Sequence, residues 1–246
     1  MQTTFLLIIT FILTVTTSIA QTHRTSFRSQ ERSINLEENA EKHFFYLFDD
    51  FQDARIYYPG QVSEARLNMN ILNDQMVLQR QGQDDQVLAT TRRFDSIRIN
   101  EQTFIHHRKF GYLEILQGAR QDFYIKYHTS YTMQEIRQGA YGDAPATAAV
   151  QSVNVLAGQA HTMSETGEFL FLENQSGNPV RVSLLSRPTF GMIVGNEFVD
   201  FDSRRALNRQ FPDHRSTIRS FLRNNDIEFD KREDLIQLAA FLERLK

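Results

Sequence analysis

The sequence predicts a mainly β, α+β fold: an antiparallel β-meander, barrel-like or sandwich, followed by a C-terminal segment of about three short helices. Three observations carry that expectation. From about residue 43 to residue 201 apolar residues recur with period two in short runs, as in strands with one buried face. Asn73-Asp74, Asn100-Glu101 and Gly195-Asn196 separate such runs and suit tight hairpin turns. After Asp202 the apolar spacing becomes helical.

The N-terminus has the pattern of a secretory signal over residues 1–20. Phe5 to Val15 is apolar except for Thr10 and Thr14, which is too short to span a bilayer comfortably. Ser18 and Ala20 place small residues where a signal peptidase needs them, so cleavage is expected between Ala20 and Gln21. Residues 21–42 are polar with isolated apolar positions, the composition of a flexible leader, and order is expected to begin near His43. The expected location is periplasmic or secreted, with no transmembrane segment left after cleavage.

The β domain is expected over residues 43–201. Leu67, Met69 and Ile71 alternate with Asn68 and Asn70, and Val87 with Ala89, Ile97 with Ile99, and Phe104 with Ile105 continue in short runs. Phe123, Ile125, Tyr127, Thr129 and Tyr131 share one face of the longest strand candidate, with Tyr124, Lys126, His128 and Ser130 on the other. A long loop is expected at about 134–165, where bulk disappears around Gly139, Tyr141, Gly142 and Pro145. Tyr141 in that glycine setting either pins its loop or offers an aromatic contact to a partner. Separate strands are expected at Phe169 to Leu172, Val180 to Leu184, Phe190 to Val194 and Phe198 to Phe201.

In the tail, 202–246, Asp202 or Ser203 can cap a helix carrying Ala206, Leu207 and Phe211, and Pro212-Asp213 suits the first turn of the next, with Ile218, Phe221 and Leu222. Asp230 and Glu233 have the spacing of a capping box for a third. Its Leu235, Leu238, Leu242 and Leu245 form a stripe expected to pack on the sheet and the other helices.

These elements resemble a large uncharacterised family of exported Bacteroidetes proteins. The likeness lies in Phe48-Asp49-Asp50-Phe51, in Leu67 to Met76, and in Phe94 to Phe104 with Ile97 and Ile99. It continues in Gly195-Asn196-Glu197-Phe198-Val199, Leu207, Phe211-Pro212, Ile218, Phe221-Leu222, Asn225, Ile227, Phe229 and Asp230 to Leu238. The resemblance implies export, a β-rich body and a small helical tail. The family carries no established activity, so no catalytic residue transfers to this chain.

Composition narrows the function classes. There is no cysteine, so neither a disulfide nor a thiolate metal site can form. The net charge of −3 arises from 27 basic and 30 acidic residues mixed along the chain, which gives no nucleic-acid footprint and no polybasic patch. Candidate chemistry is sparse. His106, His107, Glu114 and His128 are the residue types of a zinc site, although neighbours on a strand point to opposite faces. Asp49, Asp50 and Asp53 are oxygen ligands without the spacing or glycine of an EF-hand, and read as a solvated turn or a helix cap. No Gly-x-Ser-x-Gly elbow or phosphate-cradling glycine loop is present. The expected function is therefore non-catalytic contact with a protein or cell-envelope partner, without a cofactor. The alternatives are a metal-dependent hydrolase with His/carboxylate ligands and an apolar ligand carrier built on a hollow barrel.

Overall fold

In the computed structural model the described residues are 22–80, 82, 85–89, 94–116, 123–136 and 171–245. The expected signal segment, Ala20, Gln21 and Tyr141 lie outside them, as does nearly all of the expected loop. The elements in chain order begin with β1 (His23–Ser29), β2 (Ser33–Asn35), α1 (Leu36–Asn39), β3 (Gln52–Tyr58), β4 (Gln61–Asn70), β5 (Gln75–Gln79) and β6 (Gln86–Val87). Then come β7 (Ser96–Ile99), β8 (Gln102–His107), β9 (Gly111–Ile115), β10 (Tyr124–Glu135), β11 (Phe171–Glu173), β12 (Val180–Val194) and β13 (Glu197–Asp200). The tail holds α2 (Arg204–Gln210), α3 (Arg215–Asn224) and α4 (Arg232–Glu243).

The sheet is two antiparallel meanders laid side by side, β3 to β6 and β7 to β10, joined where Ala54 faces Ile99 and Ile56 faces Ile97. Hairpin turns place Asp74, Asn100 and Gly195 at φ 55, 52 and 61, the left-handed region that Asp, Asn and Gly tolerate best. The chain returns from β6 to start the second meander beside β3, so the expected antiparallel meander is present as two such runs in one sheet. The sheet curls until the Thr129 amide of β10 donates to the Ile71 carbonyl at the end of β4, 3.1 Å away. Among the described residues no ladder follows that bond, and the barrel is not closed. The turn between β4 and β5 also docks on the one between β8 and β9. There the Tyr112 amide donates to Asp74 Oδ1 at 3.0 Å, and a Cβ on Gly111 (φ +73) would lie 1.6 Å from that carboxylate.

β12 organises the second half. One edge pairs with β10 from Val180 to Gly191, and the other is divided between β1, facing Val180 to Ser186, and β13, facing Gly191 to Val194. Two expected strands are thus one, running through Pro188. Because Phe190 accepts from the Phe201 amide on the divided edge, strand parity turns Pro188 toward the gap between β1 and β13, where its missing N–H leaves no ladder bond unmade. The flexible leader expected at 21–42 is corrected too. Seven residues of it pair with β12 as β1, and β2 with β11 forms a small second sheet.

Both hydrophobic clusters lie on the same face of the β10–β12 pair. At one end Ile125, Tyr127 and Phe190 meet Ile56, Leu67, Met69 and Phe104 together with Leu207, Ile218, Leu235 and Leu238 of the helices. At the other, Val180, Val182 and Leu184 meet Ile34, Leu36, Phe44, Phe45 and Leu172. Thr129 and Ser186, directly opposite in register and both buried, mark the boundary. Ser203 caps α2 by accepting from the Ala206 amide at 3.3 Å, as expected. The capping box expected for α4 does not form. Lys231 occupies the N-cap, and the Asp234 carboxylate instead accepts from the Glu228 amide at 2.9 Å, tying the helix to the preceding loop.

The leucine stripe of α4 packs inward, with Leu235, Leu238 and Leu242 fully buried. Leu238→Ala is expected to cost about 2–5 kcal/mol, the range for deleting a buried leucine side chain. Urea unfolding followed by far-UV circular dichroism measures it, and a loss below about 1 kcal/mol would place α4 away from the core.

Candidate functional site

The four candidate metal ligands do not converge. His106 and His107 project to opposite faces of β8; His106 lies against Tyr112, with ring centroids 4.9 Å apart, and His107 stacks on Phe110 at 4.6 Å. Glu114 is 1 % exposed and faces the core. Its carboxylate accepts from Arg232 of α4 at Nε (2.9 Å) and at Nη2, from Gln102 Nε2 (3.0 Å) and from the Tyr127 hydroxyl. Burial, with Glu114 beside it, raises the Tyr127 pKa well above the usual phenol range, so this hydroxyl remains a donor. Glu114 thus anchors a helix to the sheet. His128 sits on the other face of β10, its Nδ1 3.5 Å from Thr189 Oγ1. Asp49 and Asp50 are exposed in a bend, and Asp50 and Asp53 approach Lys42 at 3.5 Å and Arg66 at 4.0 Å. Among the described residues no three His, Asp or Glu side chains are placed to hold a metal ion.

Two concave features lie where sequence reading found none. The first is a cleft of about 150 Å³ at the gap in the edge of β12, lined by Arg187, Thr189, Asp200, Asp202, Phe229 and Asp230 among others. Asp200 Oδ1 is buried there without a hydrogen-bond partner among the described residues. Burial, reinforced by Asp202 and opposed by Arg187, pushes the Asp200 carboxyl up to about 6. On the same sheet face burial, then Arg187 and Lys126, push His128 down to about 4. The cleft therefore holds an acid that titrates just below neutrality, and His128, paired in register with the cleft residue Arg187, carries an imidazole that stays neutral.

The second is a groove of about 860 Å³ between α2 and α3, walled by Arg204, Arg205, Arg219 and Arg223 with Ser203, Asn208 and Leu222. It arises from two amphipathic helices. Leu207 and Phe211 bury one face of the first and Ile218 anchors the second, which leaves the polar faces outward on either side of the Pro212 turn. All four arginines are exposed, and among the described residues none of them forms an ion pair. Residues 203–225 contain six arginines, the other two being Arg209 and Arg215, and a single acid, Asp213. The expectation of evenly mixed charge is corrected here. A count over the whole chain averages out a cluster that a window of about twenty residues exposes. Helix stability does not account for its layout. Arg204 and Arg205 occupy the first turn of α2, which itself holds no acid and where the helix macrodipole disfavours a cation. Chemically, four guanidinium forks around one concavity can hold phosphate, sulfate or carboxylate groups by paired N–H donors.

Compared with known proteins, the chain matches no protein-family model, no curated protein and no solved structure.

Arg232→Ala is expected to destabilise the chain by about 3–5 kcal/mol, because Glu114 then stays buried without its cation; chemical denaturation measures this, and a change under about 1 kcal/mol would show Arg232 to be dispensable. Asp200 and His128 predict opposed pH dependences. Between about pH 4 and pH 6.5 the unfolded chain protonates His128 before the folded one does, so stability falls on acidification. Over the lower part of that window folded Asp200 keeps its proton longer than the unfolded chain, so stability falls as pH rises toward 6. Asp200→Asn should therefore steepen, and His128→Gln flatten or invert, the rise of the urea midpoint with pH. Identical slopes in the two variants would exclude both assignments.

Proposed function

We propose that the chain is exported and acts without catalysis, through contacts with a protein or cell-envelope partner made by the arginine groove of α2 and α3. The single observation that carries this reading is the groove itself, four arginines facing one another from two short helices with no acid in the lining. Concentrated like charge weakens the fold by self-repulsion, and a complementary anionic surface relieves that cost. The signal-like pattern of residues 1–20 and the resemblance to exported Bacteroidetes proteins support the compartment.

A metal-dependent hydrolase finds less support, since Glu114 is engaged by Arg232, Gln102 and Tyr127 while His128 lies on the far side of the sheet. An apolar carrier fares no better, because the sheet face that a hollow barrel would offer to a ligand is packed against α4. No helix among the described residues is long and apolar enough to cross a membrane.

Fractionating the producing cells tests the proposal. The chain is expected outside the cytoplasm with Gln21 as its first residue by N-terminal sequencing, bound to the envelope fraction at low salt and released as salt rises to about 0.5 M. Recovery of the intact chain from cytosol, or envelope retention indifferent to salt, would refute it.

A further inference from the structure

We infer that the arginine groove is a binding site for the phosphodiester headgroups of anionic phospholipids, seated at a membrane surface without insertion of a helix. The inference rests on the envelope reading above and names its ligand.

Four features of the groove lead there. Its cationic side chains are all arginine, whose planar forks pair two N–H donors with two oxygens of one phosphoryl group, whereas lysine offers a point charge. The guanidiniums come from both walls, Arg204 and Arg205 on α2 and Arg219 and Arg223 on α3, so a group entering between the helices meets donors from two sides. Arg215, Arg219 and Arg223 follow one another at four-residue spacing and extend the charge along α3 for about 12 Å. That length suits a surface carrying many anions better than a single small ion. Finally, the lining is apolar only at half-buried Leu222, which suits the glycerol end of a headgroup, and it holds no aromatic ring on which a nucleobase could stack. Basic residues concentrated on an amphipathic helix are the usual device for adsorption to anionic lipid.

Charge placement elsewhere sharpens the orientation. One acid, exposed Asp213, lies on the turn between the two helices; the next in sequence, Asp200 and Asp202, line the separate cleft at the edge of β12, and Asp226, Glu228 and Asp230 follow the end of α3. The lining of the groove itself holds no acid, so it is the part of this region drawn toward an anionic plane.

The test is co-sedimentation of the full chain with vesicles of phosphatidylglycerol and, in parallel, of phosphatidylcholine, at low salt. A preference of about tenfold or more for phosphatidylglycerol is expected, vanishing near 0.5 M salt, to order of magnitude. Arg205→Ala with Arg219→Ala, one change on each wall, should remove most of that preference, and Arg205→Lys with Arg219→Lys should keep part of it. Arg24→Ala with Arg28→Ala, on exposed β1, should leave it intact. Circular dichroism confirms that each variant is folded; if the alanine pair is not, the salt dependence of the unaltered chain and the lysine pair still decide.

Equal binding to both vesicles overturns the inference, as does an alanine pair that is folded and binds like the unaltered chain. Displacement by micromolar glycerol 3-phosphate would assign the groove to a free phosphate ester, and binding to polyglutamate or duplex DNA without lipid preference would assign it to an acidic protein or to nucleic acid; each overturns it. Salt-sensitive retention on native envelopes with no phosphatidylglycerol preference would overturn the lipid assignment alone and leave the envelope reading standing.

Discussion

The contact on which the molecule's arrangement depends is the buried meeting of Glu114 with Arg232. A carboxylate in the middle of a curled sheet would be prohibitive without a cation, and the helix that brings this cation is the last element of the chain. Gln102 and Tyr127 take up the remaining acceptor capacity, so strands β8, β9 and β10 and helix α4 converge on one functional group. A stripe of leucines can slide along an apolar surface at small cost. An ion pair on that surface cannot slide, and it selects one placement of α4 among many of similar apolar burial.

That placement carries outward to the groove. With α4 set by Arg232, the loop before it is held through Asp234 and the Glu228 amide, and Phe221 of α3 stacks on Phe241 of α4 with ring centroids 3.9 Å apart. The inward side of α3 is thereby committed to the core, which leaves its Arg215, Arg219 and Arg223 edge no direction but solvent. A charge pair in the interior thus governs how charge is displayed on the surface.

Much of the fold was legible because it was written in spacing. The alternation at Leu67 to Ile71 and at Phe123 to Tyr131, the φ-tolerant residues at Asp74, Asn100 and Gly195, and the stripe from Leu235 to Leu242 all became the elements they predicted. β1 was illegible for a physical reason. As an edge strand it is held by its backbone ladder to β12 and contributes only Phe27 as bulky apolar surface, so its sequence reads as leader. Pro188 misled in the opposite sense, since a proline normally ends a strand unless no neighbour needs its hydrogen. Asn68 read as half of a polar face, yet it is buried with its amide bonded to both the N–H and the carbonyl of Phe48. The site was less legible than the fold. Glu114 drew attention as a ligand, but its partner lies 118 residues away and no local pattern announces it. The arginine cluster could be read from a windowed charge count, but the groove could not, because it exists only once two helices fold side by side.

The pairing of β1 with β12 has a consequence in time. Residues 23–29 pair with residues 180–186, more than 150 positions later, so this edge of the sheet stays open until that later segment has been made. Closing so distant a contact is entropically slow, and it comes after the local hairpins β3–β4, β4–β5 and β8–β9 can form. A polypeptide drawn through a pore with its amino end leading would accordingly keep β1 unpaired, and would lock that edge only when residues 180–186 followed.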